Sequence, residues 1–118
     1  MPRLAIAFFV AVLCAGSAAA QTVGGRYNVD GSNPNGSHYG GTVEIVPAGG
    51  QTCRILWNVG STWNGACVIA ERSVAAVYRS GNAQGIAVYD LQPDGSLHGV
   101  WTLGGSPRAG TEILTPAR

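Results

Sequence analysis

The sequence predicts an all-β domain, and within that class a small antiparallel meander barrel of eight strands. Three observations carry this expectation. Short runs of alternating apolar residues recur at spacings of about 8–12 residues, the pattern of sandwiches and barrels. Of the 18 glycines, 17 lie after residue 20, and they punctuate these runs rather than forming one tract. Cys53 and Cys67 lie symmetrically about Gly60, each within a β-prone run. Nothing after residue 20 keeps apolar residues at helical spacing for long enough to read as a helix.

The first strand is expected over Gly25–Val29, with Tyr27 and Val29 on one face. Asp30–Ser37, crowded with Asn, Gly and Ser around Pro34, reads as a loop. Tyr39–Val46 sets Tyr39, Gly41, Val43 and Ile45 against Gly40, Thr42 and Glu44, and Pro47–Gly50 reads as a turn. Gln51–Asn58 and Trp63–Ala70 then form a hairpin about Gly60. In that register Cys53 faces Cys67, Ile55 faces Gly65 and Trp57 faces Trp63. Opposed residues at a non-hydrogen-bonded position have Cα atoms about 4.5 Å apart, which a disulfide tolerates. Ser73–Arg79 turns at Ser80-Gly81-Asn82 into Gly85–Leu91, and Pro93-Asp94-Gly95 is a strong turn signal. Ser96–Leu103 sets Leu97, Gly99, Trp101 and Leu103 against His98, Val100 and Thr102. Gly104–Gly110 reads as a loop and Thr111–Thr115 as the last strand.

The N-terminus carries an export pattern. Arg3 precedes an apolar run over Leu4–Cys14, and Ala18-Ala19-Ala20 fits a small-residue cleavage site. The run is too short to cross a hydrocarbon core of about 30 Å. A lipoprotein anchor would use Cys14, but Leu13 before it is bulkier than such processing favours. Residues 1–20 are therefore expected to be a cleaved signal peptide, leaving 21–118 as a single all-β domain that is secreted or periplasmic, with no stable membrane insertion. Loss of Arg3 leaves the arginines balanced against the acids, and the chain has no lysine. Near neutrality argues against nucleic acid or an anionic membrane surface as partner. Cys53 and Cys67, with no C-x-x-C and no neighbouring histidine, match no zinc pattern and read as a disulfide.

Short connections favour hairpin neighbours, and a meander of eight strands can close on itself. Closure removes the exposed edges that a sparsely charged chain would struggle to protect. Gly41, Gly65 and Gly99 on inward faces suit a narrow interior. A β-sandwich is the alternative architecture for the same strand pattern.

Catalytic chemistry is not legible. His38 and His98 face away from the expected interior, and Asp30 and Asp94 read as turn residues. No spacing among the acids singles out a paired-carboxylate site, and no Gly-rich loop opens a helix. The expectation is a non-enzymatic protein without cofactor or metal. Trp57, Trp63, Trp101 and Tyr39 are the candidate binding residues. Their simplest role is to fill the core, because Phe8 and Phe9 leave with the leader. The other is to line a mouth for a small apolar or sugar-like ligand. Barrels of eight strands are just wide enough for either, and the short chain favours a filled interior.

Several segments together carry a family resemblance: Gly25-Arg26-Tyr27-Asn28-Val29, Asn33-Pro34-Asn35-Gly36-Ser37-His38-Tyr39, Gly41-Thr42-Val43 and Ile55-Leu56-Trp57. Pro93-Asp94-Gly95-Ser96-Leu97-His98-Gly99-Val100-Trp101 and Gly110-Thr111-Glu112-Ile113-Leu114-Thr115-Pro116 extend it. The set resembles small exported bacterial proteins that often carry the label fibronectin-binding protein. The resemblance implies an extracellular or envelope protein as partner. A closed barrel offers few free edges for strand addition, so such a partner would meet the loop Asp30–Ser37, the hairpin end near Gly60, or an exposed aromatic patch. In strand count and tryptophan use the chain also resembles avidin-like and lipocalin-like barrels, a likeness of fold that says little about ligand. The alternative function is a small-ligand carrier with Trp57, Trp101 and Tyr39 lining a cavity.

Overall fold

In the computed structural model, which describes residues 22–117, eight antiparallel strands follow one another round a closed barrel. They are β1 (Gly25–Ser32), β2 (His38–Gly49), β3 (Thr52–Asn58) and β4 (Thr62–Ala70). The second half is β5 (Ser73–Ser80), β6 (Ala83–Leu91), β7 (Leu97–Leu103) and β8 (Gly110–Pro116). Each strand pairs with its sequence neighbour, and β8 pairs with β1 to complete the ring. Among the described residues every strand is paired on both sides, so the sandwich alternative does not apply. The expected signal peptide lies outside the described residues.

The β3–β4 hairpin has the register that the cysteines require. Cys53 opposes Cys67, Ile55 opposes Gly65 and Trp57 opposes Trp63. The two cysteines form a disulfide with Cα atoms 4.9 Å apart, and both are buried on the inward face. A disulfide of this kind forms and persists in oxidising surroundings, outside the cell or in a periplasm.

β1 and β2 run furthest beyond the bounds the sequence suggests. β1 continues through Asp30 to Ser32, because Asp30 pairs with Gly40 and Ile113. Asp30 is therefore an exposed strand residue, not a turn cap. The loop between β1 and β2 shrinks to residues 33–37, where Asn35 Oδ1 accepts from the Ser37 backbone N–H. β2 runs on past Pro47 to Gly49, where a register shift between Pro47 and Gly49 lets the strand absorb the proline. Asp94 does act as a turn residue, accepting from both the Ser96 N–H and its hydroxyl, which hold its carboxyl below the usual range.

Inward residues alternate along every strand, and much of the interior is filled. Ile45, Ile55, Val74, Leu97 and Leu114 are fully or almost fully buried, together with Tyr27 and the disulfide. Gly65 has no room for a side chain, since a Cβ there would strike the Val77 carbonyl oxygen of β5. The outer face is mixed. Val68, Val77, Ile86, Val88 and Val100 stand exposed across β4–β7, while β1 presents Arg26, Asn28 and Asp30.

The disulfide closes a loop of sequence separation 14. Reduction is expected to lower the unfolding free energy by about 3 kcal/mol, read from the shift of the urea midpoint. Alkylation before and after reduction should differ by the thiols of Cys53 and Cys67.

An aromatic cup around a buried carboxylate

The interior is not filled at both ends. A cavity of about 280 Å³ opens where the β1–β2 loop and the β3–β4 turn meet, with Asn33, Val59 and Ser61 at its mouth. Its wall is aromatic: Tyr39, Trp57, Trp63, Tyr78, Tyr89 and Trp101. At its base stands Glu112 of β8, only 5% exposed. A wholly filled barrel, as the chain length suggests, is therefore not what forms. Trp57 is buried within the core and also faces the cup, while Trp63 and Trp101 are half-buried.

Strand register explains how a narrow barrel keeps this space. Tyr39 of β2 pairs with Gly31 of β1, and Gly31 pairs with Glu112 of β8. On its other side Glu112 pairs with Gly99 of β7, which pairs with Tyr89 of β6. The row therefore reads Tyr39, Gly31, Glu112, Gly99, Tyr89. Each glycine leaves the space in which a tyrosine ring lies over its neighbour: a Cβ on Gly31 would strike the Tyr39 ring, and one on Gly99 the Tyr89 ring. Both hydroxyls then reach the carboxylate. Tyr39 donates to Oε2 and Tyr89 to Oε1, each at 2.6 Å, and the Trp57 indole N–H donates to Oε1 at 3.3 Å. Two further rings are seated in the same way, Tyr78 over Gly85 and Trp101 over Gly110.

The rings also pack on one another. Trp57 and Tyr78 have centroids 4.9 Å apart and tilted, and Trp63 meets Tyr78 edge-on at 5.7 Å. Tyr39 meets Trp101 edge-on at 6.2 Å. Such geometries add modest attraction beyond simple burial. The Trp63 indole N–H is taken up by the Ser61 hydroxyl at the mouth, at 3.0 Å. The buried Trp101 indole nitrogen has no partner in hydrogen-bond geometry, although it lies toward the Tyr39 hydroxyl. Above the cup, the Arg108 guanidinium donates to the Pro34 carbonyl at 3.0 Å, tying the β7–β8 loop to the β1–β2 loop.

Burial and the adjacent Glu112 hold the hydroxyls of Tyr39, Tyr78 and Tyr89 well above the ordinary tyrosine value. Burial is the larger cause, because it disfavours the phenolate.

Trp57, Trp63, Trp101 and Tyr39, the residues singled out in the sequence, all line this one cavity. Tyr78, Tyr89 and Glu112 were not singled out. Glu112 could have been found only by phasing β8 on Leu114, and its neighbour Ile113 argues equally for the opposite phase. His38 and His98 are exposed, on strands that do not adjoin. Among the described residues no three His, Cys, Asp or Glu side chains gather as metal ligands.

No family model matches the chain, and no curated protein does. Its likeness is to solved barrels. A redesigned β-barrel superposes with a TM-score of 0.72 at 14% identity, over 80% of this chain and 91% of that one. The redesigned barrel mFAP1, bound to DFHBI, gives 0.69 at 16% identity, over 78% and 93%. A de novo designed fluorescence-activating barrel gives 0.66 at 17%, over 84% and 97%. These likenesses show the fold.

Two outcomes follow from the site. A Cβ at Gly31 would run first into the Tyr39 ring, so Gly31→Ala should cost about 1–3 kcal/mol in denaturant unfolding. In a double-mutant cycle, Tyr39→Ala should remove most of that added cost. Tyrosines 39, 78 and 89 have raised folded-state values, so their contribution to stability is complete below pH about 10, the unfolded value, and lost as pH rises above it. Tyrosinate absorbance should therefore appear for these three only together with the loss of near-ultraviolet circular dichroism.

Proposed function

We propose that this chain is a non-enzymatic binding protein whose barrel holds one small ligand in the aromatic cup. One observation carries the reading: six aromatic side chains and a single buried carboxylate surround an open cavity in a barrel otherwise packed with side chains. A barrel needing only stability would gain by filling that space with aliphatic groups. Ligand sites elsewhere are concave, mostly apolar, and carry a few placed polar groups. Size narrows the ligand. An apolar cavity of about 150 Å³ accepts benzene, so about 280 Å³ with an open mouth suits a body of one or two rings. Among similar barrels, mFAP1 is seen with DFHBI bound, which supports the same use of the fold.

Catalysis finds little support at this site. Among the described residues Glu112 is the only carboxylate lining the cup and no histidine lines it, and both Glu112 oxygens are engaged by neutral donors. Acid–base chemistry would need a second titrating partner within reach. Capture of an extracellular or envelope protein, the use implied by the family resemblance, would fall to the rim loops. Among the described residues the closed ladder offers no free edge strand for strand addition.

All three tryptophans of the chain line the cup, so intrinsic fluorescence reports occupancy directly. Titration with a panel of one- and two-ring aromatics, neutral and charged, should give a saturable change for at least one member. Trp63→Ala should weaken that binding tenfold or more, about 1.4 kcal/mol, with little loss of melting temperature. Fluorescence unmoved by the whole panel would overturn the reading, and unfolding of Trp63→Ala would place that ring in the core.

A further inference from the structure

The electrostatics of the cup specify its ligand more closely than its size does. Of the residues lining it, Glu112 alone is acidic, and no arginine or histidine is among them. The guanidinium of Arg108, in the β7–β8 loop, is turned to the Pro34 carbonyl. Every donor that reaches Glu112 is neutral: two phenols and an indole. The carboxylate is thus oriented and hydrogen-bonded, but no positive group among the lining residues balances it. A carboxylate accepts about four hydrogen bonds, and the three present leave capacity on Oε2, which takes only the Tyr39 hydroxyl. The wall adds to the same field. Aromatic faces carry negative quadrupole charge, and rings of this kind surround cations in known recognition sites. Glu112 itself is only 5% exposed, so screening of its carboxylate by water is weaker than at the surface.

We propose that the cup selects an organic cation, a protonated amine or quaternary ammonium on a one- or two-ring body, with Glu112 as its counter-charge. This rests on the cup being a ligand site. The Tyr39, Trp57 and Tyr89 donors keep Glu112 in place before the ligand arrives, so that the site is organised in advance. Anions are turned away by the same uncompensated carboxylate. Neutral ligands of equal shape gain the apolar wall but not the charge.

Three probes of nearly identical shape separate these terms: 1-methylquinolinium, 1-methylnaphthalene and 1-naphthoate, each titrated calorimetrically into the protein. The expected order is the cation tighter than the neutral probe by tenfold or more, with the anion weakest. Glu112→Gln should abolish the preference for the cation while the neutral probe still binds. If Glu112→Gln does not fold, the ratio on the unaltered protein decides alone. Equal or tighter binding of the neutral probe would overturn the cation assignment and leave the ligand-cup reading standing. Failure of all three probes to bind would overturn both.

Discussion

One row of five residues across five strands sets the character of this barrel: Tyr39, Gly31, Glu112, Gly99, Tyr89. A narrow barrel cannot hold large inward side chains at every position, so size must alternate between neighbouring strands. Here the alternation is extreme, ring against glycine. The bare backbone of Gly31 and Gly99 lets each tyrosine lie along the wall instead of crossing the lumen. Glycine in a strand is unfavourable on its own, and a ring laid over it recovers part of the loss. Any larger residue at either position would push a ring into the cup and off the carboxylate.

The same row places a charge where a small domain can least accommodate one. Taking a carboxylate out of water is costly unless hydrogen bonds replace the lost solvation. Glu112 receives them from β2, β3 and β6, so its side chain joins four strands through the lumen. A network of this kind is favourable only while complete, since removal of any donor leaves the charge less well satisfied. It therefore holds the wall in one arrangement and presents one negative group at the base of an aromatic space. The disulfide serves a different region, fixing β3 against β4 within the filled part of the interior.

Much of the architecture is local and can be read residue by residue. Period-two alternation marks the strands, glycine and proline mark the turns, and the symmetric cysteines mark one hairpin register. Errors arise where local chemistry is overridden by pairing. Asp30 and Pro47 look like turn residues, yet each lies in a strand because a neighbouring strand extends alongside it. Cup residues divide along the same line. Tryptophan draws attention by type alone, whereas Tyr78, Tyr89 and Glu112 matter through their neighbours across the sheet.

The chain by itself determined the fold class, the order of the strands, the hairpin register and the pairing of Cys53 with Cys67, because all of these depend on short-range periodicity and turn chemistry. Only the tertiary structure decided which face of β8 points inward. Ile113 and Leu114 are both apolar, so alternation could not choose between them, and the pairing of β8 with both β1 and β7 did. That choice buries Glu112 between two glycines and brings Tyr39 and Tyr89 onto it from sequence separations of 73 and 23. Closure of the ring is a long-range event, and the aromatic cup with its buried carboxylate exists only after it.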